Sequence, residues 1–452
     1  MKKAQTLKKQ LKVLTIPVFV EMALIMMLGA VDTVMLSRYS DNSVAAVGLD
    51  NQLISLIFLV YQFFSMGAAI LCAQYIGAGF KRRLVQVVGV ALAINAILGV
   101  VVSILLYIYA EPALLLMGLR PELMGDGLIY LQITGAWSFF QALSLTFSAS
   151  LRSADKVVYP MIVTGVVNIL NIFGNYVLIF GEWGFPQLGV EGAAISTAVS
   201  RGIATIVLCI IHFKVHIPTF PLKYFRPFPW RELRHLLHIG IPAMSEEISY
   251  CLSQVVITYF INKISNEALA ARTYCANMIM FTYLFCISIT QGGDILVGHL
   301  VGQIRHRAAY ILGNYFFRLS MVVTLSASAV LVLLGRPILE MLTDNPAIIE
   351  IGFWVLVVDW FLEVGRVSNI FACGTLRATG DAVYPVIIGI IFQWSVAVGL
   401  SYLIGIPLGF GLIGMWIGFA LDENIRGIIL IQRWKSLKWK TKGFVKAMQG
   451  DE

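Results

Sequence analysis

The chain is poor in charge. Asp, Glu, Lys and Arg supply 13% of its 452 residues, while hydrophobic residues supply 58%; an ordinary soluble domain carries about 25% charged residues. So few charges cannot cover a globular surface of this size, which makes lipid the main solvent and excludes an ordinary soluble enzyme. The six cysteines (Cys72, Cys209, Cys251, Cys275, Cys286 and Cys373) lie in apolar stretches with no Cys-x-x-Cys pair, which excludes a disulfide framework or a thiolate metal centre. No Gly-x-x-x-x-Gly-Lys-Ser/Thr sequence occurs, and Gly77-Ala78-Gly79-Phe80-Lys81 lacks both the spacing and a preceding strand. Nothing here can hold a nucleotide, so energy must come from an ion gradient or the membrane potential. Apart from the stretch 214–235, prolines and glycines are not clustered into linkers: Pro17, Pro160, Pro242 and Pro385 sit inside long apolar runs, where membrane helices tolerate them. The net charge of +8 resides in short loops and at the ends, a pattern of membrane orientation rather than nucleic-acid binding.

What is present is a series of apolar runs. A bilayer core of about 30 Å needs about 20 such residues per helix. Twelve runs qualify, near 12–37, 48–78, 87–110, 126–150, 157–181, 188–213, 236–262, 268–300, 309–335, 347–375, 383–405 and 409–433. The basic start MKKAQTLKKQLK leads into the first of them without a small-residue cleavage site, as expected for a retained first helix rather than a signal peptide. With the N-terminus in the cytoplasm, 24 Lys and Arg fall on the cytoplasmic side and 5 outside. That imbalance places both termini inside.

The second half of the chain repeats the first at an offset of 225 residues. Pro17-x-x-x-Glu21 returns as Pro242-x-x-x-Glu246, and Gly77 with Arg82 as Gly302 with Arg307. Leu151-Arg152 and Tyr159-Pro160 return as Leu376-Arg377 and Tyr384-Pro385, and Arg201-Gly202 as Arg426-Gly427. Six spans per copy is an even number, so both copies insert with the same orientation, related by an axis along the membrane normal. The expected fold is an all-α integral membrane protein whose twelve transmembrane helices form two pseudo-symmetric six-helix lobes. The lobes are expected at 1–213 and 236–433, joined by a basic, Pro-rich cytoplasmic connector at 214–235 and followed by a basic cytoplasmic tail at 434–452. A cleft between such lobes suits transport by rocking.

Ionisable groups at bilayer depth cost about 2.5–3.5 kcal/mol each, so they need a partner or a task. Asp32 lies in the outer half of the first span, and the fifth span offers Asn168, Asn171 and Asn175 on one face. An aspartate facing amides suits Na⁺ binding or proton uptake; the plainer alternative is a packing hydrogen bond. In the second lobe Glu246 and Glu247 lie on the seventh span. Asp359, Glu363, Arg366 and Asn369 share a face of the tenth, and Asp422, Glu423 and Arg426 lie on the twelfth. These groups are expected to meet at one depth with an acidic surplus, which favours a bound cation; a static ion-pair network is the alternative. Repeat symmetry suggests one Glu–Arg bridge per lobe, Glu21 with Arg201 and Glu246 with Arg426. The reading therefore assigns Glu21, Arg201, Arg366, Asp422 and Arg426 to structural ion pairs, and Asp32, Asn171, Asn175, Glu246, Glu247 and Glu363 to ion coupling. Asp32 and Glu363, which have no symmetry mates, are the leading coupling acids. His212/His216 and His235/His238 flank the cytoplasmic connector and, taken to lack acidic partners, are expected at the surface. Met26, Tyr61, Met66, Tyr283 and Trp394 are candidates to line the cleft.

Val31-Asp32-Thr33-Val34-Met35, the pair Leu151-Arg152/Leu376-Arg377 and Gly380-Asp381…Tyr384-Pro385 resemble the multidrug and toxic compound extrusion (MATE) transporters over nearly the whole chain. Glu363-Val364-Gly365-Arg366-Val367-Ser368-Asn369 and Asp422-Glu423-Asn424-Ile425-Arg426-Gly427 are similar to signatures of a bacterial branch of that family. The resemblance implies a V-shaped two-lobe fold. It also implies exchange of amphipathic, often cationic, compounds for Na⁺ or H⁺, with a functional acid at Asp32 and helpers at Asn171 and Asn175. Some members carry an aspartate where this chain has Asn175, and others a cation-binding aspartate where it has Arg366. The reading is thus a non-enzymatic antiporter of a bacterial cytoplasmic membrane, handling small amphipathic substrates, in contact with lipids and working as a monomer. It needs no cofactor beyond an H⁺ or Na⁺ gradient and no metal beyond a Na⁺ at Asp32. A lipid or lipid-linked saccharide flippase of the same superfamily is the alternative.

Overall fold

In a computed structural model, residues 2–445 are described, with side chains from residue 7 onward except at 41; the end of the expected tail, 446–452, lies outside the described residues. No strand occurs among them. The first half contains α1 (Lys2–Tyr39), α2 (Asp41–Ala78), α3 (Lys81–Ile108), α4 (Ala110–Leu116), α5 (Met124–Ala136), α6 (Ser138–Ser153), α7 (Val158–Phe180) and α8 (Val190–Ile211). The second contains α9 (Trp230–Asn262), α10 (Asn266–Gly302), α11 (His306–Leu342), α12 (Pro346–Ala378), α13 (Val383–Phe392), α14 (Gly399–Gly405) and α15 (Gly411–Lys435).

Eight helices are long and apolar enough to cross a bilayer by length and composition: α1, α2, α3, α7, α8, α10, α11 and the continuous stretch Val383–Gly405. The remaining four of the twelve spans differ for two physical reasons. The fourth breaks at Trp137 into α5 and α6. The seventh, tenth and twelfth, which are α9, α12 and α15, carry acidic and basic residues within their apolar stretches.

The chain forms two compact units, and the boundary lies within helices rather than in the connector. One unit is Val20–Gly240; the other begins at Ile241 and includes the described residues before Val20. Both breaks fall beside the repeated prolines, Pro17 inside α1 and Pro242 inside α9, where a helix loses a hydrogen bond and can bend. With 38 residues, α1 is about 57 Å long, well beyond a core of about 30 Å. Its first half has length to spare for packing outside its own six-helix set: Phe19 stacks on Phe285 at 4.9 Å, and Lys8 lies over Tyr315. Correspondingly, the first turns of α9 pack in the Val20–Gly240 unit, with Gly240 against the Phe63 ring.

Within that unit, α2, α3 and α6 pack together and α8 packs against α5, α6 and α7. Asn95 on α3 joins the first three by donating to Ser65 Oγ (3.1 Å) and Thr146 Oγ1 (2.6 Å). Ser138 Oγ contacts both Tyr61 Oη and Ser103 Oγ at 3.0 Å. Small polar residues of this kind hold membrane helices together where lipid gives no hydrophobic drive. Tyr61 is thus sealed inside the bundle (0% exposed) and does not line a cleft. In the other unit α12 packs against α10, α11 and α15. Gly365 lets α12 and α15 approach: a Cβ there would lie 2.3 Å from the backbone nitrogen of Asn424.

The duplicated copies diverge in the fourth span, broken in the first copy and continuous as α12 in the second, and again in the fifth. In the first, α7 is a regular helix bearing Asn168, Asn171 and Asn175. In the second, the corresponding span passes through a π-helical turn, Gln393–Val398, between α13 and α14. Gln393 occupies the repeat position of Asn168.

Candidate ion-coupling site

In the Val20–Gly240 unit, α1 and α7 bring together the residues that the sequence grouped. Their spacing on α7 places Asn168, Asn171 and Asn175 on one buried face. Asn175 Nδ2 donates to Asp32 Oδ1 at 2.7 Å and to Asn171 Oδ1 at 3.2 Å. Asn171 Nδ2 lies at hydrogen-bond range of Thr197 Oγ1 (3.4 Å) on α8, and its backbone carbonyl accepts from Ser196 Oγ (3.0 Å). Asn168 instead donates to the Leu24 carbonyl at 2.8 Å, tying α7 to α1. Asp32 is partly buried. Its carboxylate accepts no other hydrogen bond among the described residues, and Asn175 Oδ1 is buried without a donor. A carboxylate beside an orphaned amide oxygen is an acceptor-rich site, which a proton or a small cation satisfies and an anion does not.

Arg201 on α8 lies within electrostatic reach of Asp32 and Tyr130. Its guanidinium sits 5.1 Å over the Phe58 ring, and Nη1 is buried without an acceptor. Arg201 therefore does not pair with Glu21. That carboxylate accepts from Arg152 Nη1 at 3.2 Å, and in the second copy Glu246 pairs with Arg377. One Glu–Arg bridge per copy exists, but its base is the arginine of the repeated Leu-Arg pair. The sequence contained this signal, since Arg152 and Arg377 are themselves repeat images; assigning both to the cytoplasmic charge count concealed it.

The second unit's charges form separate groups. Glu363 accepts from Arg366, and Thr282 Oγ1 lies 3.4 Å from it. Arg366 Nη2 and Trp416 Nε1 both donate to Asp359 Oδ1, at 3.3 and 3.2 Å. Nearby, Asn369 donates to Glu423 at 2.8 Å, and Arg426 bonds Asp422 and, at 2.9 Å, Glu423. Arg426 thus belongs to the acids of its own helix and not to Glu246. Glu363 is fully buried behind Arg366, while Glu247 is exposed and pairs with no described residue. Two histidine expectations also change. His212 is buried between Phe147 and Phe213, each 5.3 Å away. His235 has an acidic neighbour, Glu232, at 3.8 Å.

Glu232 stands in the first turn of α9, ahead of the apolar run that begins at Leu236. It accepts from Tyr75 Oη at 2.6 Å and Arg83 Nη1 at 3.1 Å. Burial pushes its carboxyl upward, but hydrogen bonds from His235, Tyr75 and Arg83 together hold it below the ordinary value.

Helices duplicated in two units, with carboxylates and amides buried at bilayer depth and no nucleotide-binding domain among the described residues, define a multi-span membrane transporter. The family model MatE matches residues 17–177 and 242–403, starting at the two prolines that open the repeat. The chain belongs to the MATE family of transporters. It is 40% identical over 430 residues to the uncharacterized transporter YisQ of Bacillus subtilis, covering 95% of this chain and 94% of that one. It is 29% identical over 448 residues to the probable multidrug resistance protein NorM of Thermotoga maritima, covering 96% and 94%. A crystal structure of a mutant of the Vibrio cholerae MATE transporter VcmN superposes with a TM-score of 0.90 at 18% identity, covering 98% of this chain and 100% of that chain.

Proposed function

We propose that this protein is a secondary antiporter that exports small amphipathic, mainly cationic compounds from a bacterial cytoplasm in exchange for H⁺ or Na⁺. It would work as a monomer in the inner membrane with both termini cytoplasmic. The observation that carries the reading is Asp32: a partly buried carboxylate with a single neutral donor, beside the orphaned Oδ1 of Asn175. Such a group gains by binding a cation, and that gain is what an ion gradient can work on. Asn171 and Asn175 hold the carboxylate in place. Coupling requires that the bound ion favour one conformation of the transporter by a few kcal/mol over the other. In the second unit one oxygen each of Glu363 and Glu246 is held by Arg366 and Arg377, so a cation there competes with the arginine's charge, while the exposed Glu247 can take one directly.

The paired arginines support a cationic rather than an anionic substrate. Arg366, Arg377 and Arg426 are each engaged by carboxylates, leaving none of them free for a phosphorylated lipid headgroup. Similarity to a relative named as a multidrug resistance protein supports the same substrate class. Ethidium efflux in a pump-deficient host tests it, repeated with uncoupler and with Na⁺ replaced. Wild type should lower accumulation relative to empty vector, and Asp32→Asn should abolish that difference at equal expression. Accumulation equal to empty vector in the wild type, or normal efflux in the variant, would reject the mechanism.

A further inference from the structure

Asp50 on α2 was not singled out by the sequence, because it lies at the edge of an apolar run where charge is unremarkable. In the structure it is 0% exposed, and both Oδ1 and Oδ2 are buried without a hydrogen-bond partner. It shares the inner face of α2 with Ala46, Val47 and Ile54, all buried in an apolar cluster that includes Leu36, Leu106, Leu114, Leu119 and Ala193. The spacing 47, 50, 54 is that of a helix core stripe, where an apolar residue would normally stand. Gly127 on α5 leaves room beside it: a Cβ there would lie 3.6 Å from Asp50 Oδ1. An ionised carboxylate with no donor and no counter-charge is among the most expensive groups a folded chain can bury.

The elements packed against this part of α2 are α3, α5, α6 and the short turn Pro121–Leu123, with Leu36 of α1 and Ala193 of α8 in the same cluster. Their nearest basic groups, the exposed Arg38, Arg120 before the turn, and Arg201 over the Phe58 ring, form no ion pair or hydrogen bond with Asp50. Asp126 on α5 is engaged by Ser43 Oγ at 2.7 Å. The charged group on the turn is an acid, Glu122, and α6 and α3 bear their basic residues, Arg152 and Lys81 to Arg83, at the opposite, cytoplasmic ends. Tyr130 on α5 is the titratable neighbour, in electrostatic range of Asp50, Asp32 and Arg201 together. Its hydroxyl donates toward Asn51 Oδ1 at 3.4 Å and not to Asp50.

We propose that Asp50 is a second cation-uptake carboxylate of this bundle, binding a monovalent cation of the coupling kind. The proposal rests on the ion-coupled reading above for its role in transport, but not for the binding itself. A carboxylate whose four lone-pair sites are all unclaimed is completed by a cation from solution.

Native membranes treated with the hydrophobic reagent dicyclohexylcarbodiimide, followed by peptide mass spectrometry, test binding in the wild-type protein. An adduct on the peptide carrying Asp50 is expected. It should fall several-fold on moving from mildly acidic to alkaline medium if the ion is a proton, or on adding Na⁺ at fixed pH if it is an alkali cation. Absence of the adduct, or an adduct indifferent to both, overturns the proposal. Efflux tests the role: Asp50→Asn should slow gradient-driven efflux several-fold and Asp50→Glu should restore most of it, while wild-type rates in Asp50→Asn overturn the coupling claim. Normal efflux in Asp32→Asn would instead sink the antiport reading and leave the labelling at Asp50 to stand or fall alone.

Discussion

Replacing Arg152 with leucine should destabilise the protein through Glu21, and the size of the effect follows from the geometry. Glu21 is 5% exposed and Arg152 24% exposed, joined by one contact of 3.2 Å. The other carboxylate oxygen, Oε2, is buried with no partner. Breaking a fully buried pair costs about 3–5 kcal/mol because the surviving charge is left unpaired. The partial exposure of the arginine allows screening, which reduces the expected cost to about 2–3 kcal/mol. Glu21→Gln/Arg152→Leu should recover part of this, since no orphaned charge remains, giving a coupling energy of about 1–2 kcal/mol. The same cycle on Glu21 and Arg201 should give a coupling near zero. Equilibrium unfolding of the detergent-solubilised protein, followed by tryptophan fluorescence, measures the five variants of the two cycles and the wild type. Stronger coupling of Glu21 to Arg201 than to Arg152 would refute the ion-pair assignment and, with it, the symmetric Glu246–Arg377 bridge.

Three further outcomes test other parts of the structure. Gly365→Ala forces a methyl into the Asn424 backbone of α15; it should cost about 1–3 kcal/mol or more in the same unfolding assay, and an unchanged midpoint would contradict the close approach of α12 and α15. Asn175→Leu removes the donor that holds Asp32; a hydrogen bond to a charged group is worth about 1.5–3 kcal/mol, so uncoupler-sensitive ethidium efflux should fall roughly tenfold or more, and full efflux would sever the link between Asn175 and coupling. Glu232 has a folded value held below its unfolded one, so its contribution is complete at neutral pH and is lost as pH falls through the depressed value. Glu232→Gln should therefore lower the melting temperature at neutral pH and converge with wild type in acid, and a gap that widens in acid would reverse the sign of that shift.

The sequence by itself determined the membrane class, the twelve spans, the duplication and most, though not Asp50, of the charges that need explaining. Each of these is a one-dimensional property, a matter of composition, run length or offset. The grouping of Asp32 with Asn171 and Asn175 was legible for the same reason, because two regular helices with polar residues at helical spacing leave few ways to face each other. Tertiary structure alone decided the rest. Repeat imaging marks both Arg152 and Arg201, and only packing chooses between them: Arg152 reaches Glu21 from α6 while Arg201 on α8 lies over the Phe58 ring. Asp50 is isolated by neighbours contributed from α5 and by the turn before it, far away in sequence. The unit boundary falls inside α1 and α9 because helices longer than the bilayer, bent at proline, have length enough for each half to pack in a different unit.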